Sequence, residues 1–448
     1  MSKEFDVLII GGGPAGAMTG IELRKKGYST CIIEKETFPR PKVCAGLLTQ
    51  KSIDLLAMHC PGLKSSEFVT EHAQTVDFYF NGKIVNRFAT QVNYYFTDRT
   101  IFDNLLIQYY LKLGGKLLQQ VALKTADIDL KKNTVTAGVD RICYKYLVGA
   151  DGCNGVVCRT KKIKRHDFLC LERALPRDPL KEKEFRIYFG LAKMGYGWFF
   201  PKKEHYCVGM GAEEPGPKIL DKSRQFFREV LSRQGSRQGA GAEEFSRQGS
   251  RQGSRQGAGA EEFSRQGSRQ GSRQGAGAEG VAAGEFSRQG SRQAEGSAGA
   301  EGAALKGAML PSGRRVNMGK LPKNALLVGD AAGFVDPVTG EGIYYAMRSG
   351  VLAADAINAS AKRKKRNVLG RYNKSVRPLR QNIRAARFWK RILYYPPILK
   401  AFMKQLETHA GFARFYLERV ISTGEVSYRN FVPFYFGRVR RKSGKHSQ

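Results

Sequence analysis

Gly11, Gly13 and Gly16 follow an apolar run, Phe5–Ile10, and open a stretch of helical character over Ala17–Lys26. Each glycine has a separate use. Gly11 permits a tight turn, Gly13 lets the backbone approach a pyrophosphate, and Gly16 lets the helix pack close to the strand, while the free N–H groups of the helix start receive the anion. A second apolar run, Ser29–Ile33, ends at Glu34, at the distance where a carboxylate accepts from a ribose hydroxyl. Strand, glycine turn, helix, strand and acid in this order predict dinucleotide binding. Glu34 favours an unphosphorylated ribose, as in FAD or NAD, and does not decide between them.

Two further carboxylates close apolar strands: Asp151 in Val148-Gly149-Ala150-Asp151-Gly152, and Asp330 in Leu326-Leu327-Val328-Gly329-Asp330-Ala331-Ala332-Gly333. In sheets of this kind ligands collect at the carboxyl edge. Asp330 is the better candidate to accept from a polyol hydroxyl, because the glycines after it admit backbone close to a ligand. No His, Ser triad or carboxylate pair offers a competing centre. The eight cysteines form no CxxC pair and have no His at ligand spacing, so they read as reduced thiols with no metal site.

Several segments carry a resemblance. The Val148–Arg159 stretch resembles the Asp-Gly motif of the para-hydroxybenzoate-hydroxylase-like flavoproteins, and Leu326–Gly333 resembles their Gly-Asp motif. Within that superfamily, Gly329–Ala346 is similar to the geranylgeranyl reductase family, and Lys42–Leu48, Arg99-Thr100-Ile101-Phe102-Asp103 and Tyr196-Gly197-Trp198-Phe199-Phe200-Pro201 agree with it. Ala45 stands where the family usually has a glycine, and Lys193 where it has a proline.

The resemblance implies FAD as cofactor, reduced by NADPH or another donor, and hydride transfer to carbon–carbon double bonds of an isoprenoid chain. It implies cofactor contacts at Gly11, Gly13, Ala15, Gly16, Glu34, Cys44, Ala45, Arg99, Val121, Asp330, Gly340, Gly342 and Ile343. Cys44 is either a proton donor to the reduced alkene or a small residue beside the flavin ring. Tyr196, Trp198 and Phe200, with Phe199, suit one wall of an apolar substrate tunnel or else ordinary core packing. A flavin monooxygenase acting on an aromatic or other apolar molecule is the alternative reaction, and a non-catalytic flavin- or lipid-binding protein is a third reading. A halogenase is disfavoured, since Trp198 and Trp389 cannot form a Trp-x-Trp-x-Ile motif.

These residues need elements to hold them. The expected class is α/β: a Rossmann-type FAD-binding domain with an interleaved mixed-sheet substrate domain and a helical C-terminal region. The FAD-binding part is expected at 1–73, 98–165 and 321–365, and the substrate part at 74–97, 166–231 and 306–320. Val76–Phe80 and Lys83–Arg87 read as strands joined by Asn81-Gly82, a type I′ hairpin signal, with Arg186–Phe189, Gly197–Pro201 and Tyr206–Gly211 as further strands. Residues 232–305 repeat Ser-Arg-Gln-Gly units with almost no apolar side chains and read as a disordered insertion. The helical region is expected at 366–437 and a basic tail at 438–448.

The net charge of +35 is concentrated after Lys362. Nucleic acid is not a predicted partner, because the Arg-bearing repeats lack interleaved aromatics. Arg384–Met403 mixes basic, aromatic and aliphatic residues around Pro396-Pro397, which suits either a domain helix with a solvated basic face or peripheral contact with anionic lipid. No apolar run is long enough to span a bilayer and no cleavable signal opens the chain, so the expected location is cytoplasmic, with peripheral membrane contact as an option.

Overall fold

The computed structural model describes residues 2–164, 166–177, 183–230, 304–363 and 367–430. The repeats up to residue 303 and the expected tail at 438–448 lie outside the described residues.

The first sheet is built on β1 (Ser2–Ile10), which pairs in parallel with β2 (Thr30–Ile33) on one side and β9 (Asp140–Gly149) on the other. β6 (Lys116–Leu118) extends it beyond β2, and β15 (Ala325–Leu327) joins the carboxyl end of β9, also in parallel. β8 (Thr134–Ala137) and β7 (Ile128–Asp129) form an antiparallel margin on the amino-terminal half of β9. Val7, Leu8 and Ile9 are wholly buried, which is why β1 reads as an unbroken apolar run: helices cover both faces of a parallel sheet.

Helix α1 (Pro14–Lys25) starts with Pro14, whose fixed φ suits a first helical turn. It packs against α3 (Arg99–Lys112) and α6 (Ile343–Lys362) through small residues. A Cβ on Gly350 would sit 2.5 Å from the Ala15 carbonyl oxygen, and one on Gly20 2.7 Å from the Tyr110 ring, so both positions set the spacing between helices.

The second sheet runs β14 (Lys306–Pro311), β10 (Asp167–Pro176), β13 (His205–Ala212), β12 (Gly195–Pro201), β11 (Arg186–Phe189), β4 (Val69–Phe80), β5 (Lys83–Thr97), β3 (Leu47–Leu48). All neighbours are antiparallel except β11 and β4. The β4–β5 turn has Asn81 and Gly82 both at positive φ, 47° and 77°, as the type I′ signal requires. Both strands run further than the sequence predicts. Register shifts at Val69/Glu71, Ala73/Thr75 and Phe78/Tyr79 interrupt the inward–outward alternation by which a strand is read. Leu47–Leu48 and Val69–Ala73, expected within the 1–73 segment of the nucleotide-binding part, hydrogen-bond into this second sheet instead.

One face of the second sheet packs on a helix α5 over 216–230, through Phe199, Val208, Met210, Phe226 and Phe227. The other face, with Trp198, Phe200, Phe96 and Phe185, meets the C-terminal helices through Tyr394, Leu399, Met403, Leu406 and Leu417. Those helices are α7 (Val368–Ser375), α8 (Arg377–Leu393), α9 (Pro396–Thr408) and α10 (Ala410–Phe415), continued by a π-helical turn over Tyr416–Ser422. A short α4 (Val156–Thr160) and α2 (Gln50–His59) complete the described helices.

Candidate functional site

The glycine turn is dictated sterically. Gly11 has φ +101°, and a Cβ there would lie 2.4 Å from the Ala150 carbonyl oxygen at the end of β9; a Cβ on Gly16 would lie 2.0 Å from the Gly11 carbonyl oxygen. Gly13 differs, because the only heavy atom within 4 Å of an added Cβ is Arg40 Nη2, at 3.8 Å. The first two positions are closed by protein; the third opens on space. Gly13 precedes α1 without any side-chain cap, and no acid stands in the first turn. An uncapped helix start beside an open glycine fits a bound pyrophosphate.

Glu34, at the end of β2, is almost completely buried and accepts from the Gly12 N–H at 2.9 Å and the Lys35 N–H at 3.0 Å. The Val121 N–H donates to the Glu34 carbonyl at 3.0 Å, which brings Val121 beside it. Sequence reading named Arg99 but missed Arg40 and the ion pairs that follow. Arg40 Nη2 lies 3.5 Å from Glu34, Arg40 Nη1 lies 3.3 Å from Asp103, and Asp103 receives both Nε and Nη2 of Arg99 at 2.6 and 2.8 Å. Burial works against the Arg99 charge, but Asp103 and Cys44 more than offset it, and its pKa ends well above the ordinary value. The i, i+4 spacing of Arg99 and Asp103 on α3 was the available signal; nothing local pointed to Arg40.

At the same carboxyl edge, Gly329 (φ +55°) and Asp330 open a tight 3-10 turn over Gly329–Ala332 just after β15. Asp151 has a different use from Asp330: its Oδ2 accepts from the Val157 N–H at 3.0 Å and so holds the start of α4. Gly342 precedes α6, whose first turn is also uncapped and free of acids, and a Cβ on Gly342 would meet Val335 and Asp330 Oδ1 only at 3.5 and 3.6 Å. Two helix starts and Asp330 therefore belong to the carboxyl edge of one parallel sheet, where they fit an extended dinucleotide with a phosphate at α1 and an electron-rich ring at α6.

The loop before α6 is drawn tight by groups whose role had gone unread. Asp336 Oδ1 accepts from the Val338 and Thr339 N–H groups at 2.8 and 3.1 Å, and burial raises its pKa. Glu341 is held by Thr49 Oγ1 at 2.6 Å and Lys51 Nζ at 2.7 Å. The Tyr196 hydroxyl donates to the Thr339 carbonyl, so β12 is stitched to the Gly340–Gly342 loop.

Tyr196, Trp198 and Phe200 occupy alternate positions on β12 and share one face, with ring centroids 6.0 and 6.4 Å apart in sequence. Phe199 departs from the expected wall. The two-residue period of a strand turns it to the opposite face, where it packs on Tyr206 at 4.2 Å.

Cys44 joins these groups. Its N–H donates to Glu172 Oε1 at 3.0 Å, and its Sγ accepts from the Gly46 N–H at 3.4 Å. Glu172 Oε2 in turn accepts from Cys207 Sγ at 3.5 Å, while Lys202 Nζ donates to the Ala45 and Thr97 carbonyls at 2.6 and 2.7 Å. All three groups are deep. Burial raises the Glu172 pKa, raises the Cys207 pKa and lowers that of Lys202. No motif announces this set, because β10, β12 and β13 bring it together only through sheet register.

A family model described as an FAD binding domain matches residues 4–174. An uncharacterized protein of Methanosarcina barkeri is 28% identical over 366 residues, covering 80% of this chain and 76% of that one. A digeranylgeranylglycerophospholipid reductase of Methanocaldococcus jannaschii is 29% identical over 252 residues, covering 52% of this chain and 62% of the reductase, so the match spans about three-fifths of that relative. A rifampicin monooxygenase of Streptomyces venezuelae is 31% identical over 158 residues, 34% of this chain and 33% of that enzyme. Among solved structures, a geranylgeranyl bacteriochlorophyll reductase-like protein of Thermoplasma acidophilum has the same fold, with a TM-score of 0.65, 17% identity, and coverage of 94% of this chain and 97% of the other.

Proposed function

We propose that this chain, with an FAD binding domain at 4–174 and geranylgeranyl reductases among the proteins it resembles in sequence and fold, is a flavoprotein oxidoreductase that reduces carbon–carbon double bonds of a geranylgeranyl-type isoprenoid chain. The observation that carries this reading is the aromatic face shared by Tyr196, Trp198 and Phe200, tied at Tyr196 to the Gly340–Gly342 loop and packed against apolar residues of α9. A long hydrocarbon chain is the substrate class such a face suits.

In this reading Gly11, Gly13, Ala15 and Gly16 hold the pyrophosphate, Glu34 and Val121 the adenosine end, and Asp330 the ribityl chain. Arg99, Cys44, Ala45, Gly340, Gly342 and Ile343 surround the ring. The bound flavin supplies the hydride, taken from NADPH or another reductant. The residues of this chain supply the rest. The aromatic face excludes water from the alkene, and Cys44 delivers a proton to one alkene carbon while the hydride goes to its neighbour, so each double bond gains two hydrogens. The nucleotide-binding part is assigned to 1–73, 98–165 and 321–365, apart from the pieces of β3 and β4 noted above. Phe388, Tyr395 and Ile398 stand exposed close in sequence to Arg384, Arg391 and Lys400, which supports peripheral contact with an anionic membrane. No described helix is long and apolar enough to cross one.

The test is anaerobic. Reduced protein mixed with a geranylgeranyl lipid should reoxidise its flavin and yield product heavier by two hydrogens per double bond. Flavin that stays reduced until oxygen is admitted, followed by product carrying an added oxygen atom, would replace the proposed reaction with monooxygenation.

A further inference from the structure

A cleft of about 290 Å³ lies outside the residues assigned to the cofactor and to the aromatic face, between the 313–316 loop after β14, the Ala332–Phe334 turn and α8. Arg314, Arg315, Arg380, Arg384, Arg387 and Arg391 line it. The four on α8 are spaced i, i+4, i+7 and i+11, so at 3.6 residues per turn they form a single stripe along the helix. Beneath the arginines the lining is apolar, with Val316, Phe334 and the buried Ile383.

Their charge is poorly compensated. Among the described residues, the one carboxylate ion-paired with any of the six is Glu213, 4.0 Å from Arg387, and Glu213 is already held by Lys390 at 3.0 Å. Arg387 Nη1 donates to the Ser312 carbonyl, and Arg314 Nη1 reaches His166 Nδ1 at 3.1 Å, neither of which supplies negative charge. Burial, helped by the like charge of Arg315, lowers the pKa of Arg380 despite Tyr372, and burial together with Arg314 and Arg391 lowers that of Arg387 despite Glu213. Six guanidinium groups around an apolar hollow favour a ligand with a phosphate and an organic flank, since a planar guanidinium binds phosphate through paired hydrogen bonds.

We propose that this cleft is a binding site for a phosphate ester, separate from the dinucleotide site. The inference does not rest on the reaction proposed above. The ester is either a free phosphorylated small molecule or the headgroup of a phospholipid in a bilayer, and the exposed Phe388 beside the arginine stripe leaves both sources open to the same chemistry.

The experiment uses the full-length flavoprotein and three probes: inorganic phosphate and glycerol phosphate by calorimetry, and phosphatidylglycerol against phosphatidylcholine vesicles by cosedimentation. The comparison variant is Arg384→Gln with Arg391→Gln, accepted only if its flavin spectrum and melting temperature match the unaltered protein. A dissociation constant at least tenfold weaker in the variant for glycerol phosphate, with little vesicle binding, identifies a free ester. Selective binding to phosphatidylglycerol vesicles that the double substitution weakens tenfold and glycerol phosphate competes away identifies the headgroup. Vesicle binding that the substitutions leave intact, or no binding of any probe, overturns the site. The single substitution Arg380→Gln, from the more buried end of the stripe, should reproduce the loss if the cleft rather than the outer surface is the binding element.

Discussion

The proposed nucleotide end and the proposed substrate end of this molecule are held in shape by different means. At the first, backbone contacts decide: Gly11, Gly16 and Gly350 have no room for a Cβ, and the buried charges Glu34, Arg40, Asp103 and Arg99 are joined in a row. At the second, side chains decide. Large rings pack in T-shaped and tilted pairs, and Glu172, Cys207 and Lys202 are buried at the cost of shifted titration. A frame set by backbone and paired charge holds a fixed cofactor; a surface set by side chains can be reshaped for a substrate without moving that frame.

The largest effect should come from breaking the charge row. Asp103→Ala leaves the buried Arg99 without a carboxylate and Arg40 with Glu34 alone, and should cost about 3–5 kcal/mol. Denaturant titration measures it, and the flavin should be released in parallel. A loss below about 1 kcal/mol with flavin retained would mean that the two ends do not differ in this way.

Gly13→Ala separates cofactor contact from folding. The position is open, so the only cost to the flavin-free protein is that of alanine at the N-cap of α1, about 0.5–1 kcal/mol. FAD affinity should fall at least tenfold, or about 1.4 kcal/mol, because the added methyl stands where backbone meets pyrophosphate. Unchanged affinity by fluorescence titration would remove Gly13 from the cradle.

The smallest effect belongs to the substrate end. Burial raises the Glu172 pKa, so between pH 4.5 and its folded-state value the native protein keeps a proton that the unfolded chain has lost. Stability from this group is therefore full below pH 4.5 and declines as pH rises through that interval. Glu172→Gln removes the decline and should retain FAD. Urea midpoints measured across pH should converge at low pH and separate above it, with the variant higher; parallel curves would show that Glu172 ionises as it would in water.

What could be read in advance followed the same division. The glycine turn, Glu34 and the Asn81-Gly82 hairpin depend on a few consecutive residues and a positive φ, which the chain encodes locally. The row from Glu34 to Arg99 spans separate elements, and its middle member, Arg40, carries no motif. Glu172 lies far in sequence from Cys44, and only the pairing of Glu172 with Gly209, and of Gly209 with Trp198, places it under the aromatic face. Phe199 shows the limit at single-residue scale: four aromatics within five residues look like one wall until the strand period sorts them to two sides.

The pairing of β9 with β15 also sets a schedule for synthesis. Gly149 must wait for Leu327, roughly 180 residues later, which at ribosomal speeds of about 5–20 residues per second is roughly 10–35 s. Through that interval the carboxyl end of β9 presents an open strand edge, of the kind that recruits other chains. The newly made N-terminal half is therefore most exposed to aggregation before β15 emerges, and a chaperone that shields strand edges would act on it during translation rather than after release.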